Sequence, residues 1–266
     1  MGWRHIIIRP LSWYAALHTS KGRREASAFL VEGTRAIVQI QSVNPGCIQE
    51  LVYSDTMEPL PDIGCPSRTV TPAQFKTMCL SKTPGGPLAV VTVPVDYSVA
   101  TLPKQPGRRI LFLEDIQDPG NVGTLIRCAA AFDFDGVLCS DKCADVFAPK
   151  AVQASCGAFV SVWIRRTAQY RALVTELKNM NYLLRAADTH GKHSIRPEQP
   201  SPGSMVLMLG NEGNGLLPAT LALADTTVCI PYNSKKVESL NVAVSGAVCM
   251  YLSTAMHSNP VPPVVF

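Results

Sequence analysis

Three polar loops carry the side chains whose types and spacing could do chemistry. Their sequences are EDIQDPGNVGTLIR, GNEGNGL and IPYNSKKVESLNVAVSG. Each loop follows a predicted strand, and in open α/β sheets the ligand usually lies at the carboxyl ends of the strands. The glycines of the second loop let the backbone come close to a ligand. The loops therefore predict a ligand site, with the candidate residues Asn121, Arg127, Glu212, Ser239 and Asn241.

The same residue types also have plainer interpretations, which the sequence alone leaves open. Asn121 is typical of a turn or a helix cap at a strand-to-helix junction. Arg127 could be an ordinary arginine on a helix surface, and Glu212 could be an acid that complements a helix dipole. Ser239 and Asn241 could be a helix cap and its neighbour.

Several other site chemistries are excluded by motif. The glycines of GNEGNG run in the reverse order of the dinucleotide-binding fingerprint and come late in the chain. Neither a P-loop nor a GxSxG nucleophile elbow occurs. The five histidines include only one close pair, in THGKH, whose Gly and Lys are more typical of a mobile loop than of a metal site. We therefore expect no bound metal.

The composition is that of a globular protein. Apolar residues make up 47% of the 266 residues, charged residues 17%, and the mean hydropathy is +0.13, which together exclude a disordered or fibrous chain. No stretch approaches the ~20 apolar residues that a membrane helix needs. The nine cysteines contain no CxxC pair, and most lie in apolar runs, as buried free thiols do. We therefore expect a protein of the reducing cytoplasm.

Segments typical of strands and of helices alternate along almost the whole chain, which favours an α/β fold. In the first part we expect helices at 11–20, 34–42 and 72–79 and strands at 29–32, 48–53, 67–71 and 88–93. The second part has tighter βα units, which build a parallel sheet. Its expected strands are at 110–114, 136–140, 161–165, 182–187, 205–210 and 227–231, and its helices at 121–132, 147–158, 168–180, after Gly215 and from about 241.

A stretch with three prolines, VPVDYSVATLPKQPGRR, separates the two parts and is the best linker candidate. We place a smaller α/β domain at 1–98, a linker at 99–106, a larger domain at 107–257 and a loose tail at 258–266.

The three loops, in this order and with these separations, resemble the three motifs of the SpoU (TrmH-like) family of RNA 2′-O-ribose methyltransferases, in the SPOUT superfamily. The matching segments are DPGNVGTLIR, LGNEGNGL and IPYNSKKVESLNVAVS. The segment SKGRREASAFLVEGTRAIVQI is also similar to the start of the ribosomal-protein-L30e-like, substrate-binding domain that many members carry. The resemblance spans residues 7–256. It implies an L30e-like α/β domain, a SPOUT catalytic domain with a parallel sheet and a C-terminal deep trefoil knot, and a homodimer whose sites draw on both chains.

The resemblance implies an enzyme that uses S-adenosyl-L-methionine to methylate a ribose 2′-hydroxyl in structured RNA. The L30e-like domain favours 23S-type ribosomal RNA as the substrate; a tRNA 2′-O-methyltransferase and an inactive RNA-binding homologue are the alternatives. Asn121, Arg127, Glu212, Ser239 and Asn241 match the family's active-site set. The positions expected to bind the cofactor are Leu209, Gly210, Asn211, Gly213, Ile230, Pro231 and Leu240.

Arg127 is a poor candidate for the base that takes the hydroxyl proton, because a guanidinium holds its own proton tightly and a neutral arginine is costly. We expect Arg127 instead to hold the target phosphate and ribose and to stabilise the developing alkoxide. Asn121 is expected to orient Arg127 or the ribose, and Glu212 to pair with Arg127 or to fix the loop. Ser239 and Asn241 are expected to shape the floor of the pocket.

The start of the chain is basic. Residues 1–24 carry five Lys or Arg side chains and no acid. A solvated basic face or a transit peptide would have the same composition. Because this part of the chain resembles an RNA-binding domain, we expect basic residues here to contact the RNA backbone. The candidates are Lys21, Arg23, Arg24 and Arg35.

Overall fold

The structure is a computed structural model, and it describes residues 9–61, 64–81, 83–189, 191, 193–195 and 203–254. The tail expected at 258–266 and the first residues of the basic segment lie outside these ranges. In the part of the chain that is described, no helix is long and apolar enough to cross a membrane.

The described elements alternate as the sequence predicts. The strands are β1 (Ala28–Glu32), β2 (Ile48–Ser54), β3 (Ser67–Val70), β4 (Leu88–Thr92), β5 (Arg109–Leu113), β6 (Gly136–Ser140), β7 (Trp163–Thr167), β8 (Leu183–Ala187), β9 (His193–Ser194), β10 (Met205–Leu209) and β11 (Thr226–Cys229). The helices are α1 (Leu11–Ala16), α2 (Ser20–Ala26), α3 (Thr34–Val43), α4 (Pro72–Met78), α5 (Pro119–Ala131), α6 (Pro149–Ser155), α7 (Tyr170–Asn179), α8 (Pro218–Leu221) and α9 (Val242–Leu252).

The single helix expected at 11–20 is instead two helices, α1 and α2. Thr19 separates them, because its hydroxyl accepts a hydrogen bond from the backbone N–H of Gly22 at 3.0 Å and so caps α2. An N-cap starts a new helix, so it divides the segment that apolar periodicity predicted to be one continuous helix. The two-residue strand β9 was not predicted, since it is too short to show a pattern.

The first of two compact units contains the residues up to Val95 together with Asp145–Val160. Its four-stranded sheet has the order β1-β4-β2-β3. Strand β4 is antiparallel to both β1 and β2, whereas β2 and β3 are parallel. Tyr14, Phe75 and Met78 from α1 and α4 are buried in its core.

The segment 145–160 belongs to this first unit, whereas its sequence predicted a place inside the larger domain. Its helix α6 contacts β1. Phe147 stacks on Phe29 with ring centroids 4.5 Å apart, and Phe159 meets Phe29 edge-on at 5.1 Å. The pattern FAPKAVQASCGA predicted a helix. Periodicity indicates which face of a helix is buried, but it does not indicate the sheet against which the helix packs.

The second unit contains Asp96–Ala144 and the residues from Ser161 onward. Its seven-stranded sheet has the order β7-β6-β5-β10-β8-β11-β9. Every neighbouring pair is parallel, which confirms the predicted α/β fold with a parallel sheet. All residues of β6 and β10 are buried, as expected of strands covered on both faces. The trefoil knot stays a prediction.

The predicted linker is fixed to the second unit by hydrogen bonds. The Arg165 guanidinium donates to the carbonyl oxygen of Thr101 at 3.1 Å and pairs with Asp96 at 2.7 Å. The Trp163 indole N–H donates to the carbonyl oxygen of Pro106 at 2.8 Å. The proline-rich stretch is therefore an ordered part of this unit.

Candidate functional site

The three polar loops leave the parallel sheet at one edge. Strands β5 and β10 are neighbours, and Leu113 pairs with Leu209 at their carboxyl ends. Strand β11 is separated from β10 only by β8, which places β10 and β11 about 10 Å apart. Because the strands are parallel, the chain segments that follow them share the edge where α/β proteins bind ligands.

Asp118 fixes the start of α5 in the first loop. Its Oδ1 accepts hydrogen bonds from the backbone N–H groups of Gly120 at 2.5 Å and Asn121 at 3.1 Å. Pro119 occupies the first helical position, where an N–H would have no partner within the helix. The cap contributes about 1 kcal/mol, and it sets the position of Asn121 in the first helical turn.

A residue with left-handed backbone geometry precedes this cap. Asp115 has a φ of +57°, which is costly for a residue with a side chain. The Ser140 hydroxyl holds it by accepting from the Asp115 N–H at 2.8 Å and donating to Asp115 Oδ1 at 2.6 Å. The Asp115 carbonyl oxygen accepts from Asn211 Nδ2 at 2.8 Å, so it ties the first loop to the second. Sequence reasoning missed Ser140, whose only signal was a polar residue at the end of an apolar strand.

The second loop closes on itself. Asn211 and Gly215 exchange two backbone hydrogen bonds of 3.0 and 2.9 Å. Asn211 Oδ1 also accepts from the N–H of Gly213 at 3.0 Å. A Cβ on Gly210 would lie 2.1 Å from the carbonyl carbon of Gly215, so the neck of the loop has room only for glycine. At Gly213 a Cβ would meet only Asn211 Oδ1, at 3.6 Å.

Three of the five expected active-site residues come together at this edge. Glu212 Oε1 accepts a hydrogen bond from Asn121 Nδ2 at 3.0 Å. Asn121 Oδ1 accepts from Asn241 Nδ2 at 3.1 Å, so Asn121 bridges the second and third loops. The Glu212 carboxylate also accepts from the backbone N–H groups of Gln117 at 3.3 Å and Asp118 at 3.5 Å. Glu212 thus ties the second loop to the first by hydrogen bonds.

Asn241 has a second task, since it is also the cap that the plainer interpretation suggested. Its Oδ1 accepts from the backbone N–H groups of Ala243 at 2.9 Å and Val244 at 3.2 Å at the start of α9. The cap therefore sets the position of the amide group that meets Asn121.

Arg127 and Ser239 do not join this cluster. Both are exposed, and neither side chain makes a hydrogen bond or ion pair with another residue in the described ranges. Arg127 follows Asn121 by six residues, which in an α-helix is about 9 Å along the axis and about 120° around it. The expected pairing of Glu212 with Arg127 is therefore replaced by pairing with Asn121.

The residues expected to bind the cofactor lie at the end of β10 and in the second and third loops. Leu209 and Gly210 are buried at the end of β10, and Ile230 and Leu240 are half-buried in the third loop. Pro231 is exposed. Gly210 follows β10 and Ile230 follows β11, so both lie at the carboxyl ends of parallel strands of the same sheet.

The four basic residues expected to bind RNA differ in environment. The Lys21 side chain is 79% exposed, and Arg24 and Arg35 are exposed. Arg23 is only 5% exposed, because its guanidinium donates to Asp145 at 2.6 and 3.1 Å and to main-chain carbonyls. The expectation that Arg23 faces RNA is therefore corrected: it is an interior residue of the first unit.

The chain is similar to RNA methyltransferases in both sequence and structure. A 23S rRNA (guanosine(2553)-2'-O)-methyltransferase of Bacillus subtilis is 30% identical over 237 residues, which are 88% of this chain and 92% of the relative. The structure is similar to that of a putative RNA methyltransferase of the TrmH family from Porphyromonas gingivalis, with a TM-score of 0.78 and 26% identity, covering 94% of this chain and 100% of the other.

A second similar structure is the SpoU methyltransferase AviRb from Streptomyces viridochromogenes in complex with the cofactor AdoMet. Its TM-score is 0.78 at 25% identity, and the match covers 93% of this chain and 97% of that one. The model of the SpoU rRNA methylase family matches residues 108–251, a segment that holds all three polar loops. The chain therefore belongs to the SpoU rRNA methylase family.

Proposed function

We propose that this protein transfers the methyl group of S-adenosyl-L-methionine to a ribose 2′-hydroxyl of structured RNA, and that its substrate is ribosomal RNA of the 23S type. The observation that carries the proposal is the meeting of Asn121, Glu212 and Asn241 from the three loops within the family segment. The Bacillus subtilis relative, which matches along most of both chains, supports the choice of RNA.

The residues at the loops fit the cofactor. Ile230 and Leu240 offer half-buried apolar surface to the adenosine. Backbone N–H and C=O groups of the loops can hydrogen-bond to its polar atoms. The open space around Gly213 leaves the backbone of the second loop accessible. When bound, S-adenosyl-L-methionine supplies a methyl group already activated by its sulfonium. The proposed cofactor-binding residues are Leu209, Gly210, Asn211, Gly213, Ile230, Pro231 and Leu240.

The chain's own residues then have to position the ribose and manage its hydroxyl proton. Arg127, exposed and without a partner among the described residues, is free to hold the target phosphate and to stabilise the developing alkoxide. Its guanidinium stays charged, so it polarises the hydroxyl and does not remove the proton. Asn121 orients the ribose through an amide that is itself fixed by Glu212 and Asn241. Ser239 completes the pocket from the third loop.

Glu212 is proposed as a positioning residue. Its carboxylate accepts from two backbone N–H groups of the first loop and from the Asn121 amide, so its oxygens are already occupied. A carboxylate with these three donors holds the first loop in place beside the second.

The first unit is proposed as the L30e-like domain that grips folded RNA. Lys21, Arg24 and Arg35 are exposed there and can contact phosphates, which dominate recognition of structured RNA. Ribosomal RNA is favoured over transfer RNA on this reading. The active form is proposed to be a homodimer whose sites draw on both chains.

Transfer of labelled methyl from S-adenosyl-L-methionine to unmodified cellular RNA, separated into ribosomal and transfer fractions, tests the proposal. We expect label in the ribosomal fraction, and a rate at least about 100-fold lower for Arg127→Ala. Arg127→Lys keeps the charge but loses the guanidinium's ability to make two parallel hydrogen bonds. Its methylation rate should therefore lie between those of wild type and Arg127→Ala. Lys104→Ala is the matched control, because Lys104 is exposed in the stretch that enters β5 from the opposite edge of the sheet.

Each outcome of this assay decides something. An unchanged rate for Arg127→Ala would refute the role given to Arg127. Label only in the transfer fraction would replace ribosomal RNA by transfer RNA as the substrate. No label in either fraction would refute methyl transfer to free RNA.

A further inference from the structure

Glu114 is a fully buried carboxylate that no step of the proposed function uses. It is the first residue after β5 and is 0% exposed. Its Oε1 accepts hydrogen bonds from the Tyr170 hydroxyl at 2.8 Å and the Thr220 hydroxyl at 2.5 Å. Its Oε2 accepts from the backbone N–H of Leu217 at 2.8 Å. An isolated carboxylate is very costly to bury, and three donors are what make this burial tolerable.

The partners of Glu114 lie at both ends of the second loop. Its backbone N–H donates to the carbonyl oxygen of Leu209 at 2.9 Å, where the chain enters the loop. Its side chain accepts from Leu217, where the chain leaves the loop for α8. The next residue, Asp115, accepts from Asn211 Nδ2 inside the loop. Two consecutive residues after β5 therefore hold the entry, the interior and the exit of the segment 209–217.

We infer that Glu114 is a positioning residue that sets the conformation of the second loop, and through it the backbone of Gly210–Gly213 and the carboxylate of Glu212. The part of this inference that concerns S-adenosyl-L-methionine rests on the proposed function. The part that concerns the loop itself does not.

The chemistry of the three donors explains why an acid stands at this position. A carboxylate only accepts hydrogen bonds, and all three groups facing it can donate. Burial raises the pKa of Tyr170 to about 12, and its hydrogen bond to Glu114 acts in the same direction, so the tyrosine keeps the proton that it donates. The two hydroxyls aim the carboxylate, and its other oxygen is thereby directed at the Leu217 N–H.

The hydrogen bond from the Leu217 N–H to Glu114 Oε2, here called the exit anchor, can be removed by changing either its acceptor or its donor. Glu114→Ala removes the acceptor, whereas Leu217→Pro removes the donor without touching the core. Leu217 has a φ of −60°, which proline adopts without strain, and its side chain is partly exposed. Leu217→Ala, which keeps the N–H, is the matched control. Glu114→Gln keeps an acceptor oxygen for Leu217, and the two hydroxyls can turn to accept from its amide, so it should largely restore the anchor.

Amide hydrogen exchange of the full chain without cofactor measures the loop directly. We expect the N–H groups of Asn211 and Gly215, which close the loop, to exchange at least about tenfold faster in Glu114→Ala and Leu217→Pro. Exchange in Glu114→Gln and Leu217→Ala should stay within about threefold of wild type. Amides of β6, outside the loop, should not change in any variant. If Glu114→Ala fails to fold, Leu217→Pro decides alone.

Calorimetric binding of S-adenosyl-L-methionine is the second readout, with a dissociation constant raised about tenfold in the two anchor variants. Unchanged loop exchange in Leu217→Pro would overturn the inference, and so would equal acceleration in Leu217→Ala. Failure of the wild type to bind the cofactor would instead count against the proposed function, while the exchange experiment would still test Glu114.

Discussion

The neck of the second loop offers a sharp test, the substitution Gly210→Ala. The added Cβ would lie 2.1 Å from the carbonyl carbon of Gly215 and 2.1 Å from the nitrogen of Leu216. Both are backbone atoms, so no flexible side chain can turn away. The two sides of the neck must move apart by about 1.3 Å to reach an ordinary van der Waals contact of 3.4 Å.

This separation breaks the two backbone hydrogen bonds between Asn211 and Gly215. Each contributes about 0.5–1.5 kcal/mol, so the native loop should lose about 1–3 kcal/mol. If S-adenosyl-L-methionine binds only the native loop, its dissociation constant should rise about 5- to 150-fold. The unfolding temperature should fall by about 2–12 °C, at about 2–4 °C for each kcal/mol in a protein of this size.

Calorimetric titration with the cofactor and thermal unfolding followed by circular dichroism measure the two effects. Gly213→Ala, in the same loop, is the control, because its Cβ would meet only Asn211 Oδ1 at an ordinary 3.6 Å. It should unfold within about 1 °C of wild type. If Gly210→Ala also unfolds and binds like wild type, the loop does not have the closed neck described here, and the reasoning fails. If both variants lose affinity and only Gly210→Ala loses stability, Gly213 faces the cofactor.

Two further predictions concern the basic residues and assembly. Arg23→Ala should lower the free energy of unfolding by about 2–4 kcal/mol in urea denaturation, since it leaves Asp145 without its buried partner. Arg24→Ala should change stability by less than about 0.5 kcal/mol but weaken RNA binding and lower its salt slope by about one; equal stability of the two variants would contradict the burial of Arg23. Light scattering should give twice the chain mass of 28.7 kDa, and a value of one chain would refute the proposed dimer.

The sequence predicted most of the elements because its apolar patterns are short and bounded by turn residues. MVLML is a continuous apolar run, GVLCS is apolar up to its final serine, and both are buried strands of the parallel sheet. Asn121, Glu212 and Asn241, which the motifs predict to share a site, are joined by side-chain hydrogen bonds. Local pattern is sufficient where burial and hydrogen bonding are set by near neighbours.

The burial and pairing of a charged residue could not be predicted from sequence where its partner lies far away in the chain. Arg23 and Arg24 are adjacent and chemically identical, yet only Arg23 meets Asp145, which is 122 residues away. Glu114 and Asp115 are likewise two adjacent acids, and only the first points into the core. The residue type gives the charge of a side chain. Whether that side chain is buried and paired depends on the tertiary neighbours that the fold brings to it.

The central place of β10 in the sheet has a consequence for the order in which the chain can fold during synthesis. Strands β5, β6 and β7 pair in the order in which they are made, but β10 inserts between β5 and β8. Leu113 and its partner Leu209 are 96 residues apart in the chain. At a synthesis rate of about 5–20 residues per second, β5 waits about 5–20 s with an unpaired apolar edge. The second unit therefore cannot be completed strand by strand from its amino end, and insertion of β10 is the step at which a nascent chain of this protein is most exposed to aggregation.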